Sequence, residues 1–193
     1  MRKILTFLMI GLIGVSSIFA EELSSEFMEK MTTEELDEWN QIHLKLNLAT
    51  ENKEFDKALL YCENIGNINM ASGAIAYADT YRIMGKYKES IEWAQKSVKY
   101  AESEKLPIET PLLIMASSYV LMGDNEKSTQ TLNKIIELYP DHPMAYKFYA
   151  EYYEQTGDTA NALKYWQEAL KRFTDARAIQ QAKERIEALK KSK

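Results

Sequence analysis

The chain has 193 residues, 24 Lys and Arg against 29 Asp and Glu, a formal net charge of −5 and one cysteine. Such acidity argues against non-specific nucleic-acid binding, which depends on neutralising phosphates. A single cysteine rules out an internal disulfide, so stability has to come from a packed core.

Met1 to Ala20 reads as a secretory signal peptide: Arg2 and Lys3 precede an uncharged apolar run from Ile4 to Val15, and Ser16, Ser17 and Ala20 form a small-residue exit. Cleavage is expected after Ala20, with Ile18 a bulky −3 residue. The alternative is an uncleaved anchor, for which the run is short of the ~20 residues a span needs. No cysteine lies near the cut, which excludes a lipoprotein anchor. The remainder, residues 21–193, is expected to form one soluble helical domain that is periplasmic or secreted.

Glu21 to Lys30 is acidic, with Phe27, Met28 and Met31 available to dock on the first helix. Thr32 with Glu35 fits a capping box. The spacing of Leu36, Trp39, Ile42 and Leu46 then predicts a helix to about Ala49, and Lys53-Glu54 a turn without glycine. Phe55, Ala58, Leu59, Cys62 and Ile65 mark the next helix, giving a degenerate hairpin over about 33–66. Cys62 is expected to be a buried, inert thiol, with an intermolecular bridge or reactive thiol as the alternative.

After a break at Gly66 to Asn69, three hairpins are expected at about 71–103, 109–140 and 143–173. In the last, Tyr146, Tyr149, Ala150 and Tyr153 precede Gly157-Asp158, and Ala162, Leu163, Trp166, Ala169 and Leu170 come after it. Gly157 breaks the helix and Asp158 can cap the next one. Thirty-four residues earlier, Leu112, Met115, Ala116 and Tyr119 precede Gly123-Asp124, with Ser128, Leu132, Ile135, Ile136 and Pro140 beyond. A further copy has Ala74, Tyr77, Ala78 and Tyr81 before Gly85, then Ser90, Ile91, Ala94, Ser97 and Val98. Between these turns, Pro107 interrupts the chain and Thr110-Pro111 restarts a helix; at the next break Asp141 is expected to cap and Pro143 to occupy the first turn. A last helix over about 175–190 carries Ala178, Ile179, Ala182, Ile186 and Leu189 on one stripe and should cover the third hairpin.

A fixed period of this size is a solenoid signature. The large/large/small/aromatic order, the glycine turn and the small-bulky-small second helix resemble the tetratricopeptide repeat, over roughly Ala71 to Asp175. The copies depart from it: Ser90, Ser97 and Ser128 stand where alanine is usual, and Ile135 replaces a small residue. The resemblance implies an all-α, right-handed solenoid of antiparallel hairpins whose first helices line a concave groove. The groove positions it implies are Ile75, Asp79, Arg82 and Ile83, then Leu113, Ser117, Val120 and Leu121, then Lys147, Glu151, Glu154 and Gln155. Family members that clamp a chaperone's C-terminal carboxylate use several Lys, Arg and Asn there; Arg82 and Lys147 among carboxylates do not match. What stands out is apolar, either open to a ligand or buried by helix packing.

Catalytic motifs are lacking. The two histidines, His43 and His142, are far apart, and no metal spacing, phosphate loop or nucleophile elbow is present. No cofactor is expected. Of the aromatics around Tyr146, Phe148 and Tyr152 lie off the packing face, which leaves a saccharide platform as an alternative. The favoured expectation is a non-catalytic scaffold of the bacterial cell envelope that binds a protein or peptide segment. Acidic Glu21 to Glu38 and basic Lys171 to Lys193 leave self-association open.

Overall fold

The computed structural model describes residues 31–191. The expected signal peptide and the segment from Glu21 to Lys30 lie outside the described residues. Within them are nine helices and no strand: α1 Thr33–Glu51, α2 Phe55–Ile68, α3 Met70–Ile83, α4 Tyr87–Glu104, α5 Glu109–Met122, α6 Asn125–Leu138, α7 Pro143–Thr156, α8 Thr159–Arg172 and α9 Ala176–Lys191. The all-α hairpin reading holds. The chain divides into two compact units at Ile114–Met115, inside α5.

In the first unit, the capping box starts α1: Glu35 N–H donates to Thr32 Oγ1, and Thr32 N–H to Glu35 Oε2 at 2.7 Å. Two of the helix's free N–H groups are thereby satisfied. Trp39, Ile42, Leu46 and Ala49 point from α1 into a core shared with Ala58, Cys62 and Ile65 of α2 and Ala76 of α3. Where a glycine is missing from the α1–α2 turn, Lys53 itself takes φ 59°. Buried Cys62 sits 3.3 Å from Thr80 Oγ1, and burial pushes its thiol up to about 12, which keeps it protonated and unreactive at neutral pH.

The break before α3 is much shorter than expected. α2 continues through Gly66 to Ile68, and Asn69 alone separates the helices. Its N–H closes α2 on Ile65 O, while its Oδ1 accepts from Ser72 N–H at 2.8 Å and caps α3. This tight corner requires glycine: a Cβ on Gly73 would lie 2.3 Å from Gly66 Cα and 2.6 Å from Gly66 N. On the other side of α3, Ser97 Oγ of α4 donates to Ala71 O at 3.0 Å.

In the second unit, Ser128 Oγ of α6 likewise donates to Ala116 O at 3.0 Å. Two of the serines that depart from the alanine pattern therefore pin a second helix to the backbone of a first helix, which alanine could not do. Asp158 caps α8 as expected and Asp124 caps α6 in the same way, accepting from Asn161 and Lys127 N–H respectively, after glycines at φ 79° and 80°. Asp141 does not cap α7. His142 is the N-cap and its side chain does not cap the helix, because Pro143 takes the first helical position; Asp141 is fully exposed, 4.0 Å from Arg172. Large side chains hold this unit together. Tyr146 OH donates to Pro140 O at 2.7 Å beneath the Arg172 guanidinium, and Tyr149 OH reaches Thr129 O and Asn133 Oδ1 of α6. Ala150, Trp166, Ala182 and Ile186 join α7, α8 and α9 in one cluster, so α9 covers the last hairpin as expected.

Candidate functional site

The positions expected to line a groove separate into three kinds. Some are core. Leu113 is fully buried, in a run from Ile108 to Ile114 that is buried throughout, so it is not an open contact residue. Ser117 is 7% exposed, its Oγ buried without a hydrogen-bond partner.

Others have become struts. Arg82, expected to line the groove, is only 5% exposed, and both its Nε and Nη2 donate to Asp79 Oδ1 three residues earlier. A buried guanidinium requires such a partner, and the pair closes on its own helix rather than waiting for a ligand. Glu154 behaves similarly: it accepts from Trp166 Nε1 of α8 and from Arg185 of α9. Arg185, off the apolar stripe of α9, turns back to make this link.

A third group keeps contact with solvent. In the first unit these are Ile75, half-buried, and Ile83, 43% exposed, spaced two turns apart on α3. In the second unit Val120 and Leu121 of α5 are half-buried and Gln155 of α7 is exposed. Lys147 and Glu151 pair one turn apart on α7 at 3.6 Å. The Glu151 side chain keeps 31% exposure yet is crowded by protein; that crowding pushes its carboxyl up, against the pull of Lys147.

Phe148 and Tyr152 are both half-buried, and Tyr152 packs edge-on against Tyr153 at 5.2 Å. His43 is no free ligand: its Nδ1 lies 3.0 Å from Trp39 O, its ring 4.4 Å from the indole, and burial pushes its pKa down. No group of three or more His, Cys, Asp or Glu among the described residues is placed to hold a metal, and no described helix is long and apolar enough to cross a membrane. Missed from the sequence were Leu44 and Leu48, about half exposed on α1. Their four-residue spacing, out of phase with Trp39, Ile42 and Leu46, was the available signal.

Residues 71–104 and residues 112–142 each match a family model described as tetratricopeptide repeat. Repeats of that kind are in general protein–protein interaction modules and typically non-catalytic. A comparison with curated proteins gives no match.

Proposed function

We propose that the chain is an exported, non-catalytic scaffold of the bacterial cell envelope that holds a segment of another protein on the first-helix faces of its repeats. The observation that carries this reading is how the groove positions sort. After hairpin packing, those still reaching solvent include four aliphatics, Ile75 and Ile83 in one unit and Val120 and Leu121 in the other, beside the polar Asp79, Lys147, Glu151, Glu154 and Gln155. The charges nearby are already paired: Arg82 with Asp79, Lys147 with Glu151. Within each unit such a face favours an apolar segment over a free carboxylate, since Arg82 in one and Lys147 in the other would first have to leave a partner.

Export rests on the Met1 to Ala20 pattern. N-terminal sequencing of the protein recovered from the periplasm or medium should begin at Glu21; retention of Met1 in the membrane fraction would overturn it. For binding, Leu121→Glu should lower capture of the partner in an envelope pull-down by at least ~10-fold, because a carboxylate held against an apolar ligand is left unsolvated. Circular dichroism should be unchanged, since Leu121 already touches water. Undiminished capture by the folded variant would remove Leu121 from the binding face.

A further inference from the structure

The hairpin turns at Lys53, Gly85, Gly123 and Gly157 put four residues at one repeat position: Asn47, Asp79, Ser117 and Glu151, each six residues before its turn. Other groove positions change character from copy to copy; two residues before the turn stand Glu51, Ile83, Leu121 and Gln155. The position six before offers a hydrogen-bond acceptor every time, and each time the protein leaves acceptor capacity unused. No described residue bonds the half-buried Asn47 amide. Arg82 takes only Oδ1 of Asp79. Ser117 Oγ is enclosed without a partner, and Glu151 has only Lys147, 3.6 Å away and beyond hydrogen-bond reach. Ser117 still keeps 7% exposure, and a turn about χ1 swings its hydroxyl toward that opening. Sheltered polar groups are ordinarily bonded, so four exceptions at one register call for a common cause.

We propose that this position is the polar track of the partner site, accepting hydrogen bonds from main-chain N–H groups of a bound, extended segment. It rests on the reading that the first-helix faces hold such a segment. In the first unit the acceptors are Asn47 and Asp79, with Ile75 and Ile83 beside Asp79; in the second they are Ser117 and Glu151, with Val120 and Leu121 beside Ser117. Charge selects a neutral donor over a lysine or arginine side chain. Asp79 is neutralised by Arg82 and Glu151 by Lys147, while Glu154 is held by Arg185. Near Asn47 the exposed Lys45 and Glu51 carry opposite signs, and the charge on α5 is Glu109, eight residues before Ser117. A cation would find no net negative charge there, whereas a main-chain amide needs only the acceptor. The segment is extended because a helix spends its interior N–H groups on itself.

Two libraries of short peptides, N-acetylated and C-amidated, test this: one uncharged, the other carrying lysine, with affinity read by fluorescence anisotropy. The expected binders are uncharged. Asn47→Leu should weaken a binder on the first unit, and Ser117→Ala one on the second, each by about fivefold, the worth of one hydrogen bond. Stability should not follow: Ser117→Ala removes a hydroxyl that bonds nothing in the free protein, so the melting temperature should not fall. N-methylation of one main-chain nitrogen in the peptide should cost the same in wild type, and nothing further in the variant lacking its acceptor. A binder lost in Ile83→Glu or Leu121→Glu, yet indifferent to Asn47→Leu and Ser117→Ala, overturns the polar track and leaves the binding face in place. Binding that requires lysine overturns the main-chain assignment. Failure of both libraries to yield a binder removes the face and the track together.

Discussion

Two helices at equivalent repeat positions, α3 in the first unit and α7 in the second, meet their neighbours by opposite chemistry. α3 buries Ala71, Gly73, Ala74, Ala76 and Ala78, so contact is made close to the backbone. α7 buries Tyr146 and Tyr149 and stacks Tyr149 on Tyr165 at 4.8 Å, with each buried phenol hydroxyl bonded to a neighbouring segment. The repeat register decides which faces meet; residue volume decides how closely. One contact depends on atoms that are absent, the other on aromatic area and polar anchors, and the two should fail differently.

The largest effect is expected in the aromatic unit. Trp166→Ala should lower stability by ~3–5 kcal/mol in urea unfolding, because it opens a cavity where α7, α8 and α9 meet. It also removes the indole donor to Glu154. A loss under 1 kcal/mol would mean the cluster collapses around the gap. In the small-residue unit, Gly73→Ala should be destabilising by ~1–3 kcal/mol, since the added carbon meets the Gly66 backbone. The sign is the informative part, because Gly→Ala inside a helix ordinarily gains ~0.5–1 kcal/mol. Gly157→Ala makes the contrast: nothing lies within 4 Å of the added carbon, and only φ 79° opposes it.

The smallest effect tests the anchors. Tyr149→Phe should cost about 1 kcal/mol near neutrality through the lost hydroxyl bond. Burial pushes the Tyr149 phenol up to about 12. A folded value raised above the unfolded one, near 10, gives stability that is complete below pH ~10 and lost as pH rises through about 12. The gap between wild type and variant should therefore narrow across that window. A gap that widens with pH would show that the phenolate is accommodated.

Local signals were legible from residues alone. The Thr32–Glu35 box, the caps at Asp124 and Asp158 and the burial of Ala162, Trp166 and Ala169 all follow from spacing within one hairpin. Features that depend on a second element were not. Gly66 reads as a breaker because glycine usually is one, yet here it permits α3 to pass, a role visible only with Gly73 opposite it. Arg82 reads as surface because burial of a guanidinium is costly; Asp79 three residues earlier offsets that cost, but many exposed pairs share the spacing. Leu113 and Leu121 have like side chains about two turns apart on one face of α5, yet one is sealed and the other touches water. No rule confined to one helix separates them.

Asn69 is the whole of the connection between α2 and α3, and this bears on the order in which the first unit assembles. The tightest approach there, Gly66 to Gly73, joins residues seven apart in the chain. Closing so short a loop surrenders little chain entropy, and contacts of small sequence separation form ahead of distant ones. The corner is thus expected to be in place at the folding transition state, before α1 completes the core around Trp39. Stopped-flow measurements on Gly73→Ala should then show the loss mainly as slower refolding, with the unfolding rate little changed.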